Sequence, residues 1–216
     1  MSFDRGLILD LDGVLVDSEP LWNEAAMMVF NRLGVHITQE QVSETMGMWI
    51  GEAVACWYAK TPWPGASVQQ VTEEWVRTVT SLVKTRKGPR PGALELIKMA
   101  RQLGWPVGVA SSSPLKYVQS VVDFLGLKLD AVQSAEAEAY GKPHPAVFLA
   151  AAVAMGAPPQ GCVVVEDSPH GVIAAKAARM RCIAMPDPRL RDRKEFCIAD
   201  VRVSSLTEVT REMLVG

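Results

Sequence analysis

The chain has 216 residues, 49% hydrophobic and 21% charged, with a formal net charge of −2 at pH 7. That length supports one large core, or a core with a smaller insert, and the near-neutral balance supplies neither the basic field that nucleic acid requires nor a polybasic stretch for anionic membranes. No apolar run approaches membrane-spanning length, Met1–Arg5 leaves no room for a signal peptide, and Cys56, Cys162, Cys182 and Cys197 show no Cys-x-x-Cys spacing, so the expectation is a cytoplasmic, monomeric protein with reduced thiols.

The first strand is an apolar run, Leu7-Ile8-Leu9, that continues into Asp10-Leu11-Asp12-Gly13-Val14-Leu15, delivering two carboxylates and then turning at the glycine. Strands of a parallel sheet buried on both faces read as unbroken apolar runs, and ligands gather beyond their carboxyl ends. Side chains alternate along a strand, so an extension through Leu15 predicts that Asp10 and Asp12 face one small site. Taken alone, the pair also reads as a polar strand end entering a turn.

Helical signals follow without a strand. Ser18 with Pro20 starts a helix that runs toward Gly34. Thr38 with Gln41, and Ser67 with Gln70, have capping-box spacing. Val68, Val71, Trp75, Val79 and Leu82 recur at helical intervals and predict one apolar seam, with Glu73, Arg77 and Lys84 left for water. Thr61-Pro62-Trp63-Pro64-Gly65 is a loop. Residues 16–87 are therefore expected to form a helical insert, joined near Val16 and Gly88 and able to close over a substrate.

Helix and strand alternate beyond Gly88, which predicts a parallel sheet built from residues 1–15 and 88–216. The expected elements are a helix over Ala93–Leu103, a strand at Val107–Ala110, a helix toward Phe124, a short strand at Ala131–Gln133, a helix over Ala146–Met155, and a strand at Cys162–Val165. An alanine-rich helix, strands near Ile183–Met185 and Val201–Val203, and a last helix from Leu206 complete the order. The fold class is α/β, a Rossmann-like parallel sheet with an inserted α-helical cap.

The strand ends present Asp10 and Asp12, then Ser111-Ser112-Ser113, then Lys142 on a later loop, then Glu166-Asp167. Together these describe a site for a metal-bound phosphate. Phosphoryl transfer needs a nucleophile in line, an acid for the leaving oxygen, donors around the equatorial oxygens and cations that offset charge. Ser111 and Lys142 supply the last two beside a magnesium ion. Asp10 and Asp167, with a main-chain carbonyl and waters, fit the octahedral oxygen site that magnesium prefers. Each motif alone has a plainer reading: a capping loop for the serines, a solvated lysine, and a helix N-terminal charge pair. His36, His144 and His170 are scattered and read as structural or loop residues.

At these residues the sequence resembles the haloacid dehalogenase superfamily of phosphohydrolases. Asp10-Leu11-Asp12-Gly13-Val14-Leu15 resembles its first motif, Ala110-Ser111-Ser112 its second, Lys142-Pro143-His144-Pro145 its third and Val165-Glu166-Asp167-Ser168 its fourth, and the helical insert is similar to its cap. Asp17-Ser18-Glu19-Pro20-Leu21-Trp22 and Ala110–Leu115 resemble the 2-deoxyglucose-6-phosphatase and hexitol-phosphate phosphatase subgroup. The resemblance implies that Asp10 attacks phosphorus to give an aspartyl-phosphate, a role for which an ionised carboxylate at neutral pH is suited. It implies that Asp12 protonates the leaving alcohol and later activates water. It further implies that Ser111, the Ser112 backbone and Lys142 bind phosphoryl oxygens and that Asp10, the Asp12 carbonyl and Asp167 hold Mg²⁺, with Glu166 as an outer or additional ligand.

The implied partner is a small-molecule phosphate monoester, a hexose or hexitol phosphate. Trp22 stands where β-phosphoglucomutases commonly carry histidine, which disfavours a phosphosugar mutase. A dehalogenase needs neither Asp12 nor magnesium, and a non-catalytic phosphosugar-binding protein would be expected to lack one of the acids. Gly47-Met48-Trp49 matches a cap loop that often carries arginine, so Trp49 either stacks on a sugar or belongs to the cap core.

Overall fold

The computed structural model describes residues 3–38, 41–42 and 49–216. The chain divides into two compact units, one of Met1–Asp17 with Pro89–Gly216 and one of Ser18–Gly88.

The first unit is a parallel sheet. Its strands are β1 (Gly6–Leu9), β2 (Val107–Ser111), β3 (Ala131–Ser134), β4 (Cys162–Glu166), β5 (Arg181–Ala184) and β6 (Val201–Arg202). Their spatial order is β3-β2-β1-β4-β5-β6, with every pairing parallel. The chain thus winds one way from β1 through β2 to β3, and the other way from β4 to β6. Such a reversal opens a crevice at the carboxyl ends of the two central strands. In register, Leu9 lies beside Val109 on one side and Val165 on the other, so Asp10, the end of β2 and the end of β4 come out at one level. Every residue of β1, β2 and β4 is buried, as expected of a sheet covered on both faces.

β1 stops at Leu9, so the expectation of a strand through Leu15 is corrected. Leu15 N and Val16 N both donate to Leu11 O, and Gly13 N donates to Val16 O, which folds Leu11–Val16 into a tight local turn. Strand alternation therefore does not orient Asp12. The C-terminal expectation also changes: a short 3₁₀ turn at Leu206–Glu208 precedes a helix at Arg211–Val215, because Thr210 accepts from Met213 N and sets a new start. The four cysteines are free thiols, and burial pushes Cys162 up to about 11 and Cys182 higher still, so both stay neutral.

The second unit is helical. It contains α1 (Glu19–Arg32), α2 (Ile50–Lys60) and α3 (Val68–Arg86). Ser18 sits at the N-cap of α1 without a capping bond from its side chain, because its own backbone is already helical. Ser67 and Gln70 form the expected capping box, and Thr38 and Gln41 exchange the same pair of bonds. Val71, Trp75, Val79 and Leu82 are buried along α3, while Val68 is half-buried. Phe30 lies at the centre of an aromatic cluster, with ring centroids 6.2 Å from Trp57, 5.5 Å from Trp63 and 5.9 Å from Trp75. Gly47 and Met48 lie outside the described residues; Trp49 is 38% exposed, so its ring is not core. Among the described residues no helix is long and apolar enough to cross a membrane.

In the sheet unit, α4 (Ala93–Gln102), α5 (Leu115–Phe124), α6 (Ala146–Met155), α7 (Pro169–Ala177) and α8 (Arg211–Val215) accompany the strands. Beneath α6 and α7, the core is built of small and branched residues, among them Ala151, Ala152, Val164, Ala174 and Ala175.

Candidate active site

Asp10 is the first residue beyond β1, and its main-chain N–H donates to Val165 O on β4 at 3.0 Å. Lys142, from the loop before α6, brings a buried ammonium between two carboxylates: its Nζ lies 2.7 Å from Asp10 Oδ1 and 2.6 Å from Glu166 Oε1. It also donates to Ala110 O at 3.0 Å. An ammonium carries three N–H groups, and all three have partners here. Lys142, expected to hold phosphoryl oxygens, is thus bonded to Asp10 and Glu166, and donating to such an oxygen would take the place of one of these bonds.

Glu166 is fully buried at the end of β4. Its Oε2 accepts from Asp167 N, Ser168 N and Ser168 Oγ, each at 2.9 Å. With Oε1 taken by Lys142, both oxygens are engaged, which suits an anchoring role. Ser168 Oγ in turn accepts from Gly171 N and caps α7. Gly171 leaves the room this needs: a Cβ there would fall 1.8 Å from the Glu166 carboxyl.

Asp10, Glu166 and Asp167 present ligand oxygens that all lie within 4.8 Å of one another. Gly13 shapes the same place. Its φ of +80° is left-handed, and an added Cβ would sit 1.8 Å from Asp167 Oδ2, so only glycine lets the turn meet Asp167. Arg90 Nη1 donates to Gly13 O at 2.8 Å and Arg90 N donates to Leu15 O, which braces the turn.

Asp12 stands apart from the acidic trio. Its Oδ2 accepts from Ser113 Oγ at 2.6 Å and its Oδ1 from Tyr117 OH at 2.7 Å. Ser111 is buried at the end of β2, its Oγ accepting from Ser113 N, while Ser112 is exposed. Sequence reasoning missed the bonds of Ser113 and Tyr117 to Asp12. Their one available signal is a four-residue spacing, one helical turn, at the start of α5.

Electrostatics divide the site. Burial, opposed by the Lys142 ammonium and reinforced by Glu166 and Asp12, leaves the Asp10 carboxyl pushed up to about 8. Burial is the dominant cause, because solvation is what keeps an ordinary aspartate ionised, and the Lys142 ammonium works in the opposite direction. Burial works against the Lys142 ammonium too, but Asp10 and Glu166 outweigh it, and Lys142 stays charged. Three buried carboxyls within reach of one another, two of them on the Lys142 ammonium, form a hard, oxygen-only donor set that suits a further cation. This set fits magnesium.

The chain is similar to known proteins over nearly its whole length. A family model described as a haloacid dehalogenase-like hydrolase matches residues 5–179. Hexitol phosphatase B of Escherichia coli (strain K12) is 43% identical over 212 residues, covering 97% of this chain and 96% of that protein. The crystal structure of CbbY from Rhodobacter sphaeroides in complex with phosphate superimposes with a TM-score of 0.88 at 24% identity, covering 99% of this chain and 100% of that one. β-Phosphoglucomutase from Clostridium difficile superimposes with a TM-score of 0.81 at 21% identity, covering 99% of this chain and 96% of that one, a likeness of fold.

Proposed function

Because the chain belongs to the haloacid dehalogenase-like hydrolases and is a phosphatase, we propose that it hydrolyses hexose or hexitol phosphate monoesters through an aspartyl-phosphate on Asp10. The observation that carries the mechanism is the contrast between two carboxyls two residues apart. Asp10 lies in the buried oxygen cluster that a cation would complete and keep ionised, and the Asp12 carboxyl is held outside that cluster by hydroxyls. Unlike environments around paired carboxyls are what separate a nucleophile from an acid. The substrate class rests on the 43% identity to Hexitol phosphatase B across nearly the whole chain.

In this reading an Asp10 oxygen forms the bond to phosphorus while the bond from phosphorus to the alcohol oxygen breaks. Asp12 gives its proton to that oxygen, and the resulting carboxylate later takes a proton from the water that attacks the acyl phosphate. Ser111 and the Ser112 backbone donate to the phosphoryl oxygens. Lys142 exchanges one of its carboxylate bonds for a phosphoryl oxygen and keeps the local charge balanced. Asp10, Asp167 and the Asp12 main-chain carbonyl would hold Mg²⁺, with Glu166 anchoring Lys142 and the Asp167–Ser168 backbone from outside. When bound, the ion offsets anionic charge and favours ionised Asp10.

Phosphate release from sugar, polyol and nucleotide monophosphates, with magnesium and with chelator, tests the reading. Magnesium-dependent turnover concentrated on hexose or hexitol phosphates is expected. Turnover confined to nucleotides, or full activity in chelator, contradicts it.

A further inference from the structure

The two hydroxyls on Asp12 come from one short piece of chain. Ser113 immediately precedes Pro114, and Tyr117 lies in the first turn of α5, so a single helix start delivers one donor to each carboxylate oxygen. Neither donor is loose. The Tyr117 ring is fully buried. Ser113 is tied on both sides of its peptide unit: its N–H donates to Ser111 Oγ at 3.0 Å, and its carbonyl accepts from Ser134 Oγ at 2.6 Å. Ser134 is itself buried at the end of β3. The bonding therefore runs from the edge of the sheet, through Ser113, to Asp12.

A phenolic hydroxyl adds little to core packing and costs free energy when buried without a partner. Here its partner is a carboxyl beside the phosphoryl site. The last torsion of an aspartate is broad and roughly two-fold, so the side chain does not fix the plane of its own carboxyl. Contacts from outside must do so, and Ser113 and Tyr117 grip both oxygens.

We propose that Tyr117 and Ser113 are positioning residues that fix the Asp12 carboxyl for proton transfer to the departing alcohol. The inference rests on the reading of Asp12 as the general acid. As the phosphorus–oxygen bond to the alcohol breaks, the electron pair stays on the alcohol oxygen, which takes the Asp12 proton. The resulting carboxylate carries one hydroxyl donor on each oxygen and keeps lone pairs for the proton it later takes from water. A carboxyl free to turn would deliver that proton along fewer productive paths.

Substrates with different leaving groups separate this role from plain packing. A sorbitol phosphate expels an alkoxide that needs the proton, whereas p-nitrophenyl phosphate expels a phenolate that does not. The ratio kcat/KM covers every step through departure of the leaving group. With saturating magnesium, Tyr117→Phe and Ser113→Ala are each expected to lose about tenfold in kcat/KM on sorbitol phosphate, a part of the full effect of general acid catalysis, and about threefold or less on p-nitrophenyl phosphate.

Equal losses on both substrates, or wild-type values on both, overturn the proposal. Ser113→Ala leaves the buried ring in place and carries the test should Tyr117→Phe fold poorly. Asp12→Asn, measured alongside, separates the two levels of the argument. If it loses equally on both substrates, the acid assignment fails and the positioning role falls with it. If it shows the leaving-group contrast and the Tyr117 and Ser113 variants do not, the positioning role alone fails.

Discussion

The two compact units bury different kinds of side chain. In Ser18–Gly88 the buried set is apolar and aromatic, around Phe30, Trp57, Trp63 and Trp75, with Ser18 and Asn23 the buried polar residues among those described. The sheet unit instead buries Asp10, Ser111, Ser134, Glu166 and Asp167, all at or just beyond carboxyl ends of strands. An apolar seam is stable by itself, because burial of hydrocarbon needs no partner. A buried carboxylate persists only where ammonium, hydroxyl or backbone donors meet it, so a cluster of them marks a place built for charge. The difference locates chemistry in one unit and assigns packing to the other.

The largest expected effect is at Asp10. Asp10→Asn should lower phosphate release by ~1,000-fold or more while the protein still unfolds cooperatively, since the amide cannot form the acyl phosphate. A variant with near wild-type turnover would place the nucleophile elsewhere. Next comes Gly13→Ala. A Cβ 1.8 Å from Asp167 Oδ2 must displace either the turn or the carboxylate, and magnesium affinity measured by titration should fall about 10- to 100-fold. Unchanged affinity would remove Asp167 from the metal site.

Phe30→Ala probes the other unit. Loss of a ring packed among three tryptophans should cost about 3–5 kcal/mol, read from denaturant unfolding. Magnesium affinity should stay within a factor of two or so, because the assigned ligands belong to the sheet unit. A parallel loss of metal binding would break the division of labour between the units.

A smaller and more graded effect is expected from pH. Asp10 is pushed up to about 8 by burial, above its ordinary value, so the folded metal-free protein holds a proton that the unfolded chain releases near pH 4. Its contribution to stability is complete below the unfolded value and is lost as pH rises toward 8. Thermal unfolding in chelator should show that decline, magnesium should flatten it, and Asp10→Asn should lack it. A metal-free protein that gains stability over this range through Asp10 would reverse the sign of the argument.

Much of this was legible in the sequence, for physical reasons that differ by element. Cys162–Glu166 and Val107–Ser111 read as strands because both faces are covered, and the capping pair Ser67–Gln70 marked the start of α3 through local bonds alone. Asp10, Glu166 and Asp167 come together because strand ends in a parallel sheet converge, and the loop before α6 carries Lys142 to them. Other features depend on contacts that a linear pattern does not carry. The sequence reads as one strand to Leu15 that turns at Gly13, but the Leu11 carbonyl accepts two local N–H groups and curls Leu11–Val16 into a turn straight after β1. Tyr117 looks like any aromatic residue on a helix, because its partner is 105 positions away. The raised Asp10 carboxyl follows from burial by the assembled fold, which a reference value omits.

The most direct test of the account is to find where the phosphoryl group resides during turnover. The enzyme would be mixed with sorbitol phosphate and magnesium, quenched in acid and digested, and its peptides weighed by mass spectrometry. The account predicts one added phosphoryl group on the peptide containing Asp10, removed by hydroxylamine and absent from Asp10→Asn. Turnover with the label on another residue, or with no label under conditions that trap acyl phosphates, would contradict it.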